Sequence, residues 1–280
     1  MRGRVCVVTG ASSGIGKVTV RELARQGATV IAVARDAGRG EAALGEVRSE
    51  IPGADVSLAL CDFASQRAVR RLGAELLERC PKLHVLVNNA GAILGGRSLT
   101  EDGIEATFAV NHLGYFLLTE LLLDRLRASA PARVVAVASE AHRSGHIDFE
   151  DLRADKGYSP MRVYGTSKLA NMAFTRELAR RLEGSGVTAN CAHPGVVATN
   201  FGASGGALIR FGIKLVRPFF RTEAQGADTL IWLASSPDVE GVSGKYFIDR
   251  REKRPSREAS DDEVARRLWA ASERLVAPSA

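Results

Sequence analysis

The chain has 280 residues, 45% hydrophobic and 6% aromatic, enough to bury the core of one large α/β domain. Its net charge of +6 comes from 38 basic and 32 acidic residues interleaved along the whole length. That pattern, with few aromatics for base stacking, argues against nucleic-acid binding and suits a polyanionic cofactor. Cys6, Cys61, Cys80 and Cys191 are scattered, without CxxC or a histidine cluster, so neither a metal site nor a disulfide framework is indicated and a reducing, cytoplasmic setting is expected.

The sequence enters an apolar run, "RVCVVTG" at 4–10, almost at once, without the longer apolar segment of a signal peptide or membrane anchor. A Gly/Ser turn and the helical pattern "IGKVTVRELARQG" follow. Gly10, Gly14 and Gly16 stand between this first strand and first helix, where glycine permits a tight turn and the free N–H groups of the helix can receive a pyrophosphate. The second strand, "ATVIAVARD" at 28–36, ends in Ala34 and Arg35, where a carboxylate would select the free 2′-hydroxyl of NAD. Arg35 together with Lys17 suits a 2′-phosphate instead, which favours NADP(H) over NAD(H), while Asp36 is expected to start the next helix.

Strand and helix signals then alternate: a helix to about 50, a strand ending at Asp62, a helix over 64–79, the strand "LHVLVNNAG" at 83–91, a helix over about 100–128, and the strand "ARVVAVAS" at 132–139. After a charged, irregular insertion at 140–158 comes a helix that ends near Gly184, then the strand "GVTANCAHPG". Such runs imply a single-domain Rossmann fold over 1–280: a doubly wound parallel sheet of about seven strands with helices on both faces. Its ligand crevice should lie outside the carboxyl ends of the strands, where the Gly10 turn, Asp62, the NNAG turn and Ser139 fall.

Tyr164 and Lys168, in "VYGTSKLAN", are four residues apart and so share a helix face about 5–6 Å apart at Cβ. A fixed ammonium beside a phenol favours the phenolate, making Tyr164 a usable proton donor or acceptor. Asn111 is either a helix-interior polar residue satisfied by backbone or a functional group. His142 and His146 read as solvated loop residues, and His193 as a turn residue. The segment at 201–225 mixes apolar residues with Arg210, Lys214, Arg217 and Arg221, a pattern that also allows a weak peripheral membrane contact. A helix at about 260–276 presents Val264, Leu268 and Leu275 for docking on the body.

Together these motifs resemble the short-chain dehydrogenase/reductase family over about residues 4–250: the cofactor turn at Thr9 to Gly16, Asp62, the NNAG turn at Asn88 to Gly91, Asn111, Ser139, Tyr164, Lys168 and Pro194-Gly195. "VNHLGYFLLT", "HPGVVATNF" and "GVSGKYFIDR" resemble its retinol dehydrogenase and WW-domain oxidoreductase branch, although Ala138 replaces the first serine of the usual pair. The resemblance implies a catalytic tetrad of Asn111, Ser139, Tyr164 and Lys168. It implies cofactor contacts at Gly10, Ser12, Ser13, Gly14, Ile15, Gly16, Lys17, Arg35, Asp62, Phe63, Asn89, Ala90 and Gly91. Tyr164, Lys168, Pro194, Gly195, Val197 and Thr199 complete that set. A substrate lid at about 200–222 and a homodimer or homotetramer paired through the Tyr164 helix and the helix after it also follow from it.

The expected activity is interconversion of an apolar alcohol and its aldehyde or ketone. Ser139 would bind the substrate oxygen, Tyr164 would exchange the proton, and Lys168 would bias Tyr164 toward ionisation and hold the cofactor ribose. Asn111 would hold a water that links Lys168 to solvent. The alternative is a non-catalytic NADP-binding interaction protein.

Overall fold

Side chains along β1 (Val5–Thr9) alternate, sending Val7 to one face of the sheet and Cys6 and Val8 to the other, and all three are fully buried. Burial on both faces is what a near-continuous apolar strand requires. A computed structural model describes residues 1–197 and 221–277 of the chain. In chain order, α1 (Gly14–Arg25), β2 (Thr29–Ala34), α2 (Ala37–Glu50), β3 (Val56–Leu60), α3 (Gln66–Arg79) and β4 (Val85–Asn88) follow β1. Next come α4 (Ala106–Ala128), β5 (Ala132–Val137), α5 (Pro160–Arg181) and β6 (Val187–Ala192). Beyond the undescribed stretch lie α6 (Glu223–Ser235), β7 (Tyr246–Ile248), β8 (Arg251–Glu252) and α7 (Asp262–Val276).

The strands form one sheet in the order β3-β2-β1-β4-β5-β6-β7-β8, parallel throughout except for β8. The eighth strand, beyond the expected seven or so, is a two-residue antiparallel return at the edge. The chain reverses its winding between β1 and β4, which opens the crevice beyond their carboxyl ends. Helices α3, α4 and α5 bury one face and α1, α2 and α6 the other.

Two local departures from the sequence pattern matter for the site. Helix α4 starts at Ala106, several residues later than the apolar periodicity suggests, because the buried Glu105 carboxylate accepts hydrogen bonds from Thr107 N at 3.0 Å and Phe108 N at 2.7 Å. Residues Ala109–Leu113 of this helix form a π turn. The wider turn lets the consecutive residues Asn111 and His112 both point inward, each 0% exposed. By length and apolar composition α4 could cross a membrane, but 83% of its apolar window is buried in the protein, where it serves the core.

Helix α7 covers the outer side of α4 and α5. Trp269 stacks on Phe174 with ring centroids 5.8 Å apart, meets Phe116 edge-on at 4.9 Å, and carries the Arg181 guanidinium 4.2 Å above its ring. Any pairing of two copies through α5 must therefore accommodate α7 as well. Trp269→Ala is expected to lower the unfolding free energy by about 3–5 kcal/mol, measured by urea denaturation; an unchanged midpoint and slope would mean that α7 is not part of the cooperative unit.

Candidate active site

The turn between β1 and α1 is packed so closely that only glycine fits. A Cβ at Gly16 would lie 2.3 Å from Gly10 O, and one at Gly10, whose φ is +67°, would lie 2.7 Å from Ala90 Cα. Thr9 and Asn89 fasten this turn to the one after β4. Thr9 Oγ1 accepts from Asn89 N at 2.9 Å and Ala90 N at 3.0 Å, and Asn89 Nδ2 donates to Thr9 O at 2.8 Å. Ser13 caps α1 in extended conformation with no side-chain bond to the helix, and the first turn carries no acidic residue. The N–H groups there are free to receive a phosphate, with Ser12 and Ser13 at the mouth. This cradle fits a dinucleotide pyrophosphate.

At the adenosine end, Arg35 is exposed beyond β2 and Asp36 caps α2, accepting from Arg39 N at 2.8 Å. Lys17 forms an ion pair of 2.7 Å with Glu46 of α2, so it must exchange that carboxylate to meet a ligand phosphate. Asp62 is exposed beyond β3, with Oδ1 accepting from Ala64 N at 3.0 Å. Phe63 turns inward: a Cβ on Gly114 would lie 2.7 Å from its Cδ1. The Phe63 ring is thus a core residue, leaving its backbone as the part that can face a cofactor.

Around the carboxyl ends of β4 and β5 the structure brings together Gly91, Asn111, Ser139, Tyr164 and Lys168. A Cβ on Gly91 would stand 3.3 Å from Asn111 Oδ1 and 3.7 Å from Lys168 Nζ. Ser139 hydrogen-bonds Tyr164 through its side chain. Lys168 is 2% exposed and donates from Nζ to Val137 O at 3.0 Å. Its Nζ lies 5.7 Å from the Tyr164 ring centre and 5.8 Å from that of Tyr115.

Two side chains take on roles that the sequence left open. Asn111 Oδ1 accepts from Ala92 N at 2.8 Å, while Nδ2 donates to Ala92 O and to Ser167 Oγ, both at 3.0 Å. The Asn111 side chain thus clamps the loop after β4 to α5 and makes no direct hydrogen bond to Lys168 among the described residues. Lys168 also does not dominate the acidity of Tyr164. Burial pushes the phenol up to about 12, against a smaller opposing effect of the Ser139 hydrogen bond, and burial pulls the Lys168 ammonium down to about 7.

Other residues enter that the sequence reading missed. His142 is fully buried, contrary to its reading as a solvated loop residue. Its Nδ1 lies 2.7 Å from Ser139 O and its Nε2 accepts from Ser256 N at 3.1 Å, so the neutral ring ties the Ser139 turn to the segment leading into α7. Burial holds the imidazole below the usual histidine range, which favours that neutral form. His112 joins Asn171 Oδ1, at 3.3 Å, to Ser272 Oγ of α7, at 2.9 Å, and burial brings it down to about 4. Asn171 Nδ2 donates at 3.3 Å to Val137 O, the same oxygen that holds Lys168. No single-residue spacing signals these links, because each spans elements far apart in sequence. His146 is exposed beside Glu258, at 3.1 Å.

Beyond β6, Pro194 and Gly195 form a turn with Gly195 at φ +81°, against the Arg221 side chain. Val197 and Ile15 converge on Gly226 of α6, where a Cβ would lie 2.5 Å from Val197 Cγ2 and 3.2 Å from Ile15 Cγ1. Arg221 makes a forked ion pair with Asp249, its Nη2 at 2.9 Å from Oδ2. Thr199 and nearly all of the expected lid at 200–222 lie outside the described residues.

A glycine cradle at the first crossover and a buried Ser–Tyr–Lys cluster at the carboxyl ends define a nucleotide-dependent oxidoreductase of Rossmann architecture. The family model described as short chain dehydrogenase matches residues 4–207, and the chain belongs to that family. It is 48% identical to retinol dehydrogenase 14 of Mus musculus over 99% of this chain and 86% of that protein, which places it in the retinol dehydrogenase branch. Among solved structures, an uncharacterized protein from Mycobacterium paratuberculosis matches with TM-score 0.80 and 38% identity over 98% of this chain and 94% of that one. A Pseudomonas aeruginosa RhlG/NADP active-site complex matches with TM-score 0.71 and 27% identity, covering 88% and 94%.

The fold disfavours the charged form of Lys168, whose pKa falls from 10.5 to about 7. That cost is complete below pH 7 and fades as pH rises toward 10.5. Lys168→Met is therefore expected to stabilise the ligand-free protein by on the order of 2–4 kcal/mol near pH 6 and much less near pH 9. Equal changes in melting temperature at both pH values would contradict the burial of a titrating ammonium.

Proposed function

We propose that the protein is an NADP(H)-dependent oxidoreductase that interconverts an apolar, retinol-like alcohol and its aldehyde or ketone, with Tyr164 as general acid and base. Alcohol and carbonyl interconversion is the chemistry of its family branch. The observation that carries the finer reading is the hydrogen bond between Ser139 and the buried Tyr164 beside the buried Lys168. When bound, NADP(H) supplies or accepts the hydride.

In this reading Ser139 Oγ and Tyr164 Oη together bind the substrate oxygen. Tyr164 gives its proton to the developing alkoxide in reduction and takes the hydroxyl proton in oxidation. Burial raises the phenol, so Tyr164 rests in its protonated form, ready to act as the acid in the reductive direction. Burial of Tyr164 and Lys168 excludes water from the reacting oxygen and strengthens each polar contact. The 2′-phosphate preference is supported by Arg35, which is exposed and has no ion-pair partner among the described residues, with Lys17 as a second cation once it leaves Glu46. Relatives solved with NADP make the same cofactor plausible. The described cysteines, all unpaired and buried, support a cytoplasmic setting.

Tyr164→Phe is expected to cut turnover of a retinal-type aldehyde by about 10²–10⁴-fold while NADPH affinity, read by fluorescence titration, stays the same. Undiminished turnover would eliminate Tyr164 as the acid and revive the non-catalytic alternative. Arg35→Gln is expected to raise KM for NADPH about tenfold, the equivalent of ~1.4 kcal/mol, and to leave KM for NADH unchanged. Equal effects on both cofactors would remove Arg35 from the phosphate site.

A further inference from the structure

A groove of about 900 Å³ lies at the amino-terminal ends of β1, β4, β5 and β6. It is separated from the glycine cradle by the length of the strands, about 17 Å for five residues. Arg2, Arg4 and Arg133 line it, and none of the three has a carboxylate partner. Other arginines, such as Arg39 and Arg274, also lack one among the described residues, so what distinguishes these three is that they line one groove together. Arg180, also in the lining, is satisfied by Glu177 at 2.7 Å.

The three unpaired guanidiniums make only partial use of their donors. Arg4 gives Nη1 to Pro131 O at 3.0 Å. Arg133, half-buried, gives Nη1 to Leu233 O at 3.0 Å and Ser236 O at 2.7 Å, which holds the end of α6 and leaves Nε and Nη2 without partners among the described residues. Arg2 has no polar partner among the described residues. Burial, opposed by Glu240 and reinforced by Arg4, pulls the Arg133 guanidinium below its ordinary value, so the two cations repel each other across the groove.

His84 adds a neutral donor. It is 7% exposed and lines the groove, and its Nδ1 accepts from Val5 N at 3.0 Å, which puts the ring proton on Nε2. No protein group among the described residues pairs with that Nε2–H. The carboxylates in the lining, Glu183 and Glu240, are both exposed and form no ion pair with the arginines. The remaining wall is mixed: Met1 and Pro131 alternate with Thr188, Ser235, Ser243 and glycine backbone.

We infer that this groove binds a phosphate group carried on a larger molecule, with Arg2, Arg4 and Arg133 taking the phosphate oxygens and His84 Nε2 donating a neutral hydrogen bond. Three forked guanidiniums left without carboxylates match several phosphate oxygens, and a groove of this size accommodates more than a bare ion. The phosphate belongs either to a soluble phosphorylated compound or to a lipid headgroup.

The test keeps excess NADPH present throughout, so that the Gly10 turn does not compete for the probe. Pyrophosphate is titrated by calorimetry, and vesicles of phosphatidylcholine with or without phosphatidic acid are sedimented with the protein, for wild type and for R2E/R4E. The inference expects one of the two probes to bind wild type and to bind R2E/R4E at least about tenfold more weakly, with R2Q/R4Q between them. NADPH turnover should stay unchanged, because neither arginine touches the active site, and melting curves check that R2E/R4E and R2Q/R4Q are both folded at the assay temperature. Binding of pyrophosphate points to a soluble ligand, and binding only of vesicles with phosphatidic acid points to a lipid. No binding of either probe, or equal binding by wild type and R2E/R4E, would overturn the inference.

Discussion

The centre of this structure is a lysine ammonium with 2% exposure, held by one backbone carbonyl, Val137 O, at the end of the fifth strand. An amine in that position costs stability whenever it is charged, and the surrounding fold must be rigid enough to keep it there. That requirement explains why so many contacts converge on its neighbourhood. Val137 O is shared with Asn171, Gly91 approaches so closely that a side chain would crowd Asn111, and Ser139 at the strand's end is bonded to Tyr164. The site is an arrangement in which each polar group is either committed to the frame or left for substrate and cofactor.

The frame is built by backbone irregularities as much as by regular elements. A helix of ordinary pitch would place Asn111 and His112 about 100° apart, with one of them turned away. The π turn directs both inward, Asn111 to the loop after β4 and His112 to α5 and α7. The Ser139 turn is stabilised similarly, by His142 reaching across to the backbone of Ser256. Through His112 and His142 the carboxyl-terminal segment is connected to the residues that carry the chemistry. Trp269, stacked between Phe174 and Phe116, gives that connection an apolar anchor.

Charge is distributed with equal selectivity. Many arginines lie in surface ion pairs worth little individually, and others carry no carboxylate partner among the described residues. Arg35 at the carboxyl end of the sheet and Arg2, Arg4 and Arg133 at the amino end are left without carboxylates.

The fold and the chemical class were legible in the sequence because they depend on local patterns. Apolar runs separated by amphipathic helices dictate a buried parallel sheet, glycine spacing at the first crossover marks a phosphate cradle, and Tyr164 and Lys168 at i and i+4 must share a helix face. What the sequence left open depends on contacts between distant elements. Asn111 as a clamp, Phe63 turned into the core, Lys17 paired with Glu46, and His142 buried against Ser256 are all decided by packing. The acidities of Tyr164 and Lys168 belong to the same category: spacing predicts that they meet, but only burial in the assembled fold decides that desolvation is the largest influence on both.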